Sequence, residues 1–151
     1  MKRCFFIGHR DAEDAVFPCL VAEVHRHITQ FGVKEFIVGG RGQFDQLAAK
    51  AVREAKHLYP EVKLTLLLAY LPTKTQPGQW DGFDETCYPP KLEQVPPRYA
   101  ILKANRYLLE HCDYLIAYAW HPASNAKELV TYAQKREKEG LITVTLLPRC
   151  T

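Results

Sequence analysis

Phe36-Ile37-Val38-Gly39-Gly40-Arg41-Gly42-Gln43-Phe44-Asp45-Gln46-Leu47-Ala48-Ala49 is a short apolar run, a glycine turn and the beginning of a helix. Phe36, Ile37 and Val38 suit a buried strand. Gly39, Gly40 and Gly42 let the backbone turn sharply and let another group approach it closely. Phe44, Leu47, Ala48, Ala51, Val52 and Ala55 then recur at helical spacing and give one apolar face. A helix that starts from such a turn presents N–H groups and the positive end of its dipole, which suits a phosphate or another anion. The same residues also make a plain strand-to-helix turn. Both readings stand, because the full dinucleotide spacing of glycines is absent.

Working outward, the 151 residues suit one domain, 1–151, with a sizeable core. A composition 47% hydrophobic and 25% charged is that of an ordinary globular protein. The net charge of +3 permits a small anionic ligand but lacks the basic footprint of a nucleic-acid binder. No apolar run is long enough to span a membrane and no signal-peptide pattern opens the chain, so a cytoplasmic protein is expected. The five cysteines (Cys4, Cys19, Cys87, Cys112 and Cys150) include no Cys-x-x-Cys pair; reduced thiols and no metal site are expected.

Cys4-Phe5-Phe6-Ile7 reads as a first buried strand, ending at the polar turn Gly8-His9-Arg10. Asp14 is placed to cap the next helix, with Pro18 in its first turn, Val16, Leu20, Val24 and Ile28 in one row, and Gly32 at its end. The second strand and its helix follow, closed by Pro60. Val62 to Leu71 is a third strand, too continuously apolar to be half exposed. Arg98 to His111 reads as a helix with Ile101, Leu102, Leu108 and Leu109 among its apolar positions, and Tyr114 to Tyr118 as the next buried strand. Asn125 with Glu128 resembles a capping box opening a helix that runs to about Glu139, where Gly140 ends it. Ile142 to Leu147 is the last strand. Strands alternating with helices predict an α/β sheet of about five mainly parallel strands, helices on both faces, with the first, second and fourth strands adjacent at its centre.

Pro72 to Pro97 breaks this rhythm. Six prolines punctuate it, at 72, 77, 89, 90, 96 and 97. It is longer than the roughly 15 residues that ordinary connections rarely exceed. Trp80, Phe83 and Tyr88 argue for an ordered loop, read as a lid beside a pocket or as a surface loop packed on the domain. Ligands of such sheets sit beyond the carboxyl ends of the strands. Three turns should meet there: Gly8-His9-Arg10, Gly39 to Asp45, and Trp120 to Asn125.

Gly8-His9-Arg10 after an apolar strand, Gly39 with Asp45-x-x-Ala48-Ala49, Pro72 with Gln76 and Trp80, and Asn105-Arg106-Tyr107 before Asp113 together resemble the SLOG superfamily. That is the Rossmann-like group containing DprA and Lonely-guy proteins, and the small YpsA-like bacterial proteins are the most similar branch. The resemblance covers nearly the whole chain. It implies a three-layer Rossmann-like fold and a pocket for a nucleotide-derived ligand, without an established reaction for most of the branch. The chain departs from the pattern in three places. Gln43 stands where glycine is common, and Ala104 where many members have arginine. His121-Pro122-Ala123-Ser124-Asn125-Ala126-Lys127-Glu128 occupies the place of the Lonely-guy Gly-Gly-x-Gly-Thr-x-x-Glu motif, keeping the glutamate but not the glycines.

The candidate ligand-binding residues are Gly8, His9, Arg10, Gly39, Gly40, Arg41, Gly42, Asp45, Asn105, Ser124 and Asn125, with Glu128 as the one candidate catalytic carboxylate. Each has a purely structural alternative. Asp45 can orient a ribose or simply favour its helix N-terminus, Glu128 can serve as acid/base or as a cap, and the arginines can bind phosphate or face solvent. The reading adopted is a non-catalytic protein that senses a nucleotide-like ligand and requires no cofactor. An N-glycosidase acting on nucleoside monophosphates and a DprA-like single-strand DNA binder are the alternatives. A membrane partner is not expected, nucleic acid is disfavoured, and a homo-oligomer is left open.

Overall fold

The apolar runs and amphipathic stretches become β1 (Lys2–Gly8), α1 (Phe17–Thr29), β2 (Val33–Val38), α2 (Gln43–Lys56), β3 (Lys63–Leu67), β4 (Glu85–Cys87), α3 (Pro97–His111), β5 (Tyr114–Tyr118), α4 (Asn125–Lys138) and β6 (Thr143–Leu146). The structure, a computed structural model, describes residues 1–70, 82–121 and 124–149. Pro72, Gln76, Pro77 and Trp80, and with them the part of the expected lid up to residue 81, lie outside the described residues.

All six strands are parallel, in the order β4-β3-β2-β1-β5-β6. The expected centre is present: β1 lies between β2 and β5, pairing Cys4 with Phe36 on one side and with Tyr114 on the other. From β1 the chain steps outward through β2 and β3 to β4, then returns by α3 to lay β5 on the opposite side of β1. The order therefore reverses between β1 and β5, and that gap is the topological switch point of the sheet.

Period-two alternation divides the core. Cys4 and Phe6 of β1 join Phe36, Val38, Leu64, Ile116 and Tyr118 under α1 and α2. Phe5 and Ile7 join Ile37, Leu67, Leu115 and Ala117 under α3 and α4. Val16, Leu20, Val24 and Ile28 are all buried on the first face, as their four-residue spacing requires. Gly8 is needed where β1 passes under α2, since a Cβ there would fall 2.2 Å from the Phe44 ring.

The structure corrects several expectations. The sheet has a sixth strand, β4, within the proline-rich stretch. Glu85-Thr86-Cys87 has no apolar run; it is a strand because its backbone pairs with Thr65, Leu66 and Leu67. Asp84 anchors it by accepting the Leu64 N–H (2.8 Å) and pairing with Lys56. β3 is correspondingly shorter than Val62 to Leu71. Asp14 lies in a 3-10 turn ahead of α1 and does not cap it; its carboxylate accepts the Gln43 side-chain amide at 2.9 Å. In α3 the buried stripe is Ala100, Ala104, Leu108 and Leu109, while Ile101 and Leu102 are exposed. Small residues on the inner side let α3 lie close to the sheet, and helical spacing then carries the larger pair outward.

Candidate functional site

A cavity of about 480 Å³ opens over the carboxyl ends of β1, β2 and β5, at the switch point. The three polar turns meet around it. Gly8, His9, Arg10, Gly39, Arg41, Asp45, Asn105, Ser124 and Asn125 all line it. Gly40, Gly42 and Glu128 do not. Gly40 faces a neighbouring groove, and Gly42 precedes α2 with φ 142, where a Cβ would fall 2.8 Å from the Arg10 Cα. Glu128 is exposed on α4 away from the cavity lining. The floor and wall are apolar, with Phe5, Ile7, Leu67, Ala69, Ala104 and Leu129. Ala104 thus contributes a smooth wall where the resemblance implies an arginine. Asp11 and His121 also line the cavity and were missed. His121 sits in one of the turns expected to converge and Asp11 directly follows another, and their place beside His9 and Ser124 was the available signal.

His9 is buried between aromatic neighbours, its ring edge-on to Tyr118, Trp120 and His121 at 5.7, 5.1 and 6.2 Å. The His121 N–H donates to His9 Nε2 at 3.2 Å. In the neutral ring that bond leaves the proton on Nδ1. Burial is the main influence on His9 and lowers its pKa; His121 acts the same way, while Asp11 and Glu13 oppose. Nearby, the Tyr118 hydroxyl donates to Glu13 at 2.6 Å, which holds that carboxylate below its usual range. His9 is therefore a neutral polar group fixed in one orientation at the cavity wall.

Asp45 is the third residue of α2 and points back along the turn. Its Oδ2 accepts the Arg41 N–H at 2.9 Å. Gly39 makes room for it, since a Cβ there would lie 3.2 Å from Oδ2. Burial raises the Asp45 pKa to about 6 against the opposing pull of the Arg41 N–H and the Arg41 charge. The Arg10 carbonyl accepts the Gln43 N–H at 2.8 Å, which ties the first turn to the start of α2. Arg41 is exposed, with its guanidinium over the Tyr70 ring at 5.3 Å. Arg106 lies over Tyr132 at 4.5 Å and does not line the cavity.

The capping assignment for α4 shifts by one residue. Ser124, not Asn125, is the N-cap: its Oγ accepts the Lys127 N–H at 3.1 Å. Neighbouring serine and asparagine have almost equal cap preference, and the turn settles on serine because its hydroxyl also donates to the His121 carbonyl at 2.9 Å. Glu128 then falls one position past the capping-box place and makes no cap bond.

A second, open groove of about 770 Å³ runs along the other side of α2, past Gln43, Gln46, Lys50 and Arg53, and shares Asp45 with the first. Lys50 lies over Phe17 at 4.7 Å and Arg53 over Phe83 at 4.9 Å. Among the described residues no cluster of three or more His, Cys, Asp or Glu is arranged to hold a metal, and no helix is long and apolar enough to cross a membrane. No protein-family model matches the chain, and no curated protein is significantly similar to it.

Proposed function

We propose that this chain binds a nucleoside-derived small molecule, a nucleotide or a relative of one, at the switch-point cavity and acts as a sensor or regulatory protein. One observation carries the reading: three turns distant in sequence converge on one cavity of about 480 Å³ at the position where open α/β sheets take ligands. The lining suits a base and sugar. Leu67, Ala104 and Leu129 offer apolar surface for a ring, and Asp45, Asn105, Ser124 and Asn125 offer hydrogen-bond partners for hydroxyl and ring nitrogen groups. The motif resemblance supports placing the chain with the SLOG, YpsA-like bacterial proteins, and five scattered cysteines without a Cys-x-x-Cys pair support a reducing, cytoplasmic setting. Such a role needs no cofactor.

The N-glycosidase reading loses its carboxylate, because Glu128 is exposed and off the cavity. The DNA-binding reading needs a basic groove, whereas Arg10 and Arg41 share the cavity lining with Asp11 and Asp45. Melting curves taken with a panel of nucleosides and nucleotides test the proposal. At least one compound should raise the melting temperature, and Asp45→Ala should reduce that rise. Loss of a helix-terminal charge costs at most about 1 kcal/mol of stability, whereas losing a buried ligand contact costs about 1–3 kcal/mol of binding. A shift of the same size in the variant counts against the site.

A further inference from the structure

We infer that the cavity selects an uncharged nucleoside over its 5′-monophosphate. The inference rests on the reading just given and names its ligand class. A phosphate at a strand-to-helix turn is held by backbone N–H groups that have no acceptor of their own. In this chain protein acceptors already occupy part of those positions, and a carboxylate sits among them. The Arg10 carbonyl takes the Gln43 N–H at the start of α2. The Asp45 carboxylate takes the Arg41 N–H in the turn itself, so an anion arriving there meets a like charge. At α4 the Ser124 hydroxyl takes the Lys127 N–H and the Ser124 carbonyl the Glu128 N–H at 3.4 Å.

The cations do not reverse this. Arg41 lines the cavity but is exposed with its guanidinium over the Tyr70 ring, and Arg10 is exposed with Asp11 beside it in sequence and on the same cavity. What the lining offers instead is acceptors and neutral polar groups: the Asp45 carboxylate, the Asn105 and Asn125 amides, and His9 with Nδ1–H unpartnered among the described residues. These match the hydroxyls of a sugar and the donor and acceptor edge of a base.

The test is calorimetric titration at pH 7.5 with adenosine, guanosine, cytidine and uridine and with their four 5′-monophosphates. The expected result is that one nucleoside binds at least about tenfold more tightly than its monophosphate. Asp45→Asn keeps an oxygen acceptor and removes the charge, and Ser124→Ala frees the Lys127 N–H. At least one of these variants, each verified as folded by its melting curve, should narrow the gap about threefold or more. A monophosphate that binds wild type as tightly as its nucleoside overturns the inference and leaves the nucleotide-binding reading in place. A gap unchanged in both variants also overturns it. No binding by any of the eight compounds overturns the inference and the function reading together.

Discussion

At the scale of the residue, two titratable groups, half-buried Asp45 and fully buried His27, pull the stability in opposite directions. Asp45 has its pKa raised by burial to about 6 in the folded protein. Its unfolded value is that of an ordinary aspartate, near 3.9. Between pH 4 and 6 the unfolded chain has released this proton while the folded chain keeps it, so stability falls as pH rises through that window. Two units correspond to at most about 3 kcal/mol, less the screening at a half-buried carboxylate. His27 does the reverse. It is fully buried, its Nδ1–H donates to the Glu23 carbonyl at 2.7 Å, and its Nε2 has no partner among the described residues. Burial, the main cause, lowers its pKa, so stability is complete above the unfolded value near 6.5 and falls as acid is added. Asp45→Asn separates the two. The variant should melt higher than wild type at pH 7.5, with the difference vanishing by pH 4; a difference independent of pH would refute the assignment. Asp45, His9 and Arg10 could be read from sequence because each lies in a turn directly after a strand. Their protonation could not, because it depends on neighbours supplied by other segments: the His121 N–H for His9, and for Asp45 the depth of the turn that Gly39 opens.

At the scale of the element, caps and edges explain where the sequence was legible and where it was not. The buried strands were plain as continuous apolar runs, and α1 as a row of four residues. β4 was invisible because it has no hydrophobic signature; its place is set by pairing with β3 and by Asp84, contacts that exist only once the chain has folded. The charged pairs in and beside it, Glu85 with Lys63 and Asp84 with Lys56, also suit an edge strand, where charge discourages pairing with another chain. The start of α4 was misread by one position, and the consequence is measurable. Ser124→Ala should cost about 1 kcal/mol in urea unfolding, as the loss of a cap does. Glu128→Gln should stay within about 0.5 kcal/mol of wild type, as an exposed substitution without a partner does. The opposite ranking would restore the capping box at Asn125 and Glu128.

At the scale of the whole molecule, the reversal of strand order between β1 and β5 does what no single motif does. It brings residues 8–11, 39–45 and 124–126 around one cavity, though more than a hundred residues separate the first from the last. The hydrogen bonds that join these turns, Gln43 N–H to the Arg10 carbonyl and His121 N–H to the His9 ring, make the rim one connected unit. A ligand seated there should therefore act on all three segments together. Hydrogen exchange with and without the compound that gives the largest melting shift would read this directly. Amides in 8–11, 39–45 and 124–126 should slow in common, because a ligand that binds only the folded rim adds its binding free energy to every local opening that breaks the rim. The far end of α4 and the edge strand β6, which do not touch the cavity, should change little. Protection confined to the groove beside Lys50 and Arg53 would move the site to the other side of α2 and leave the switch-point cavity without a ligand.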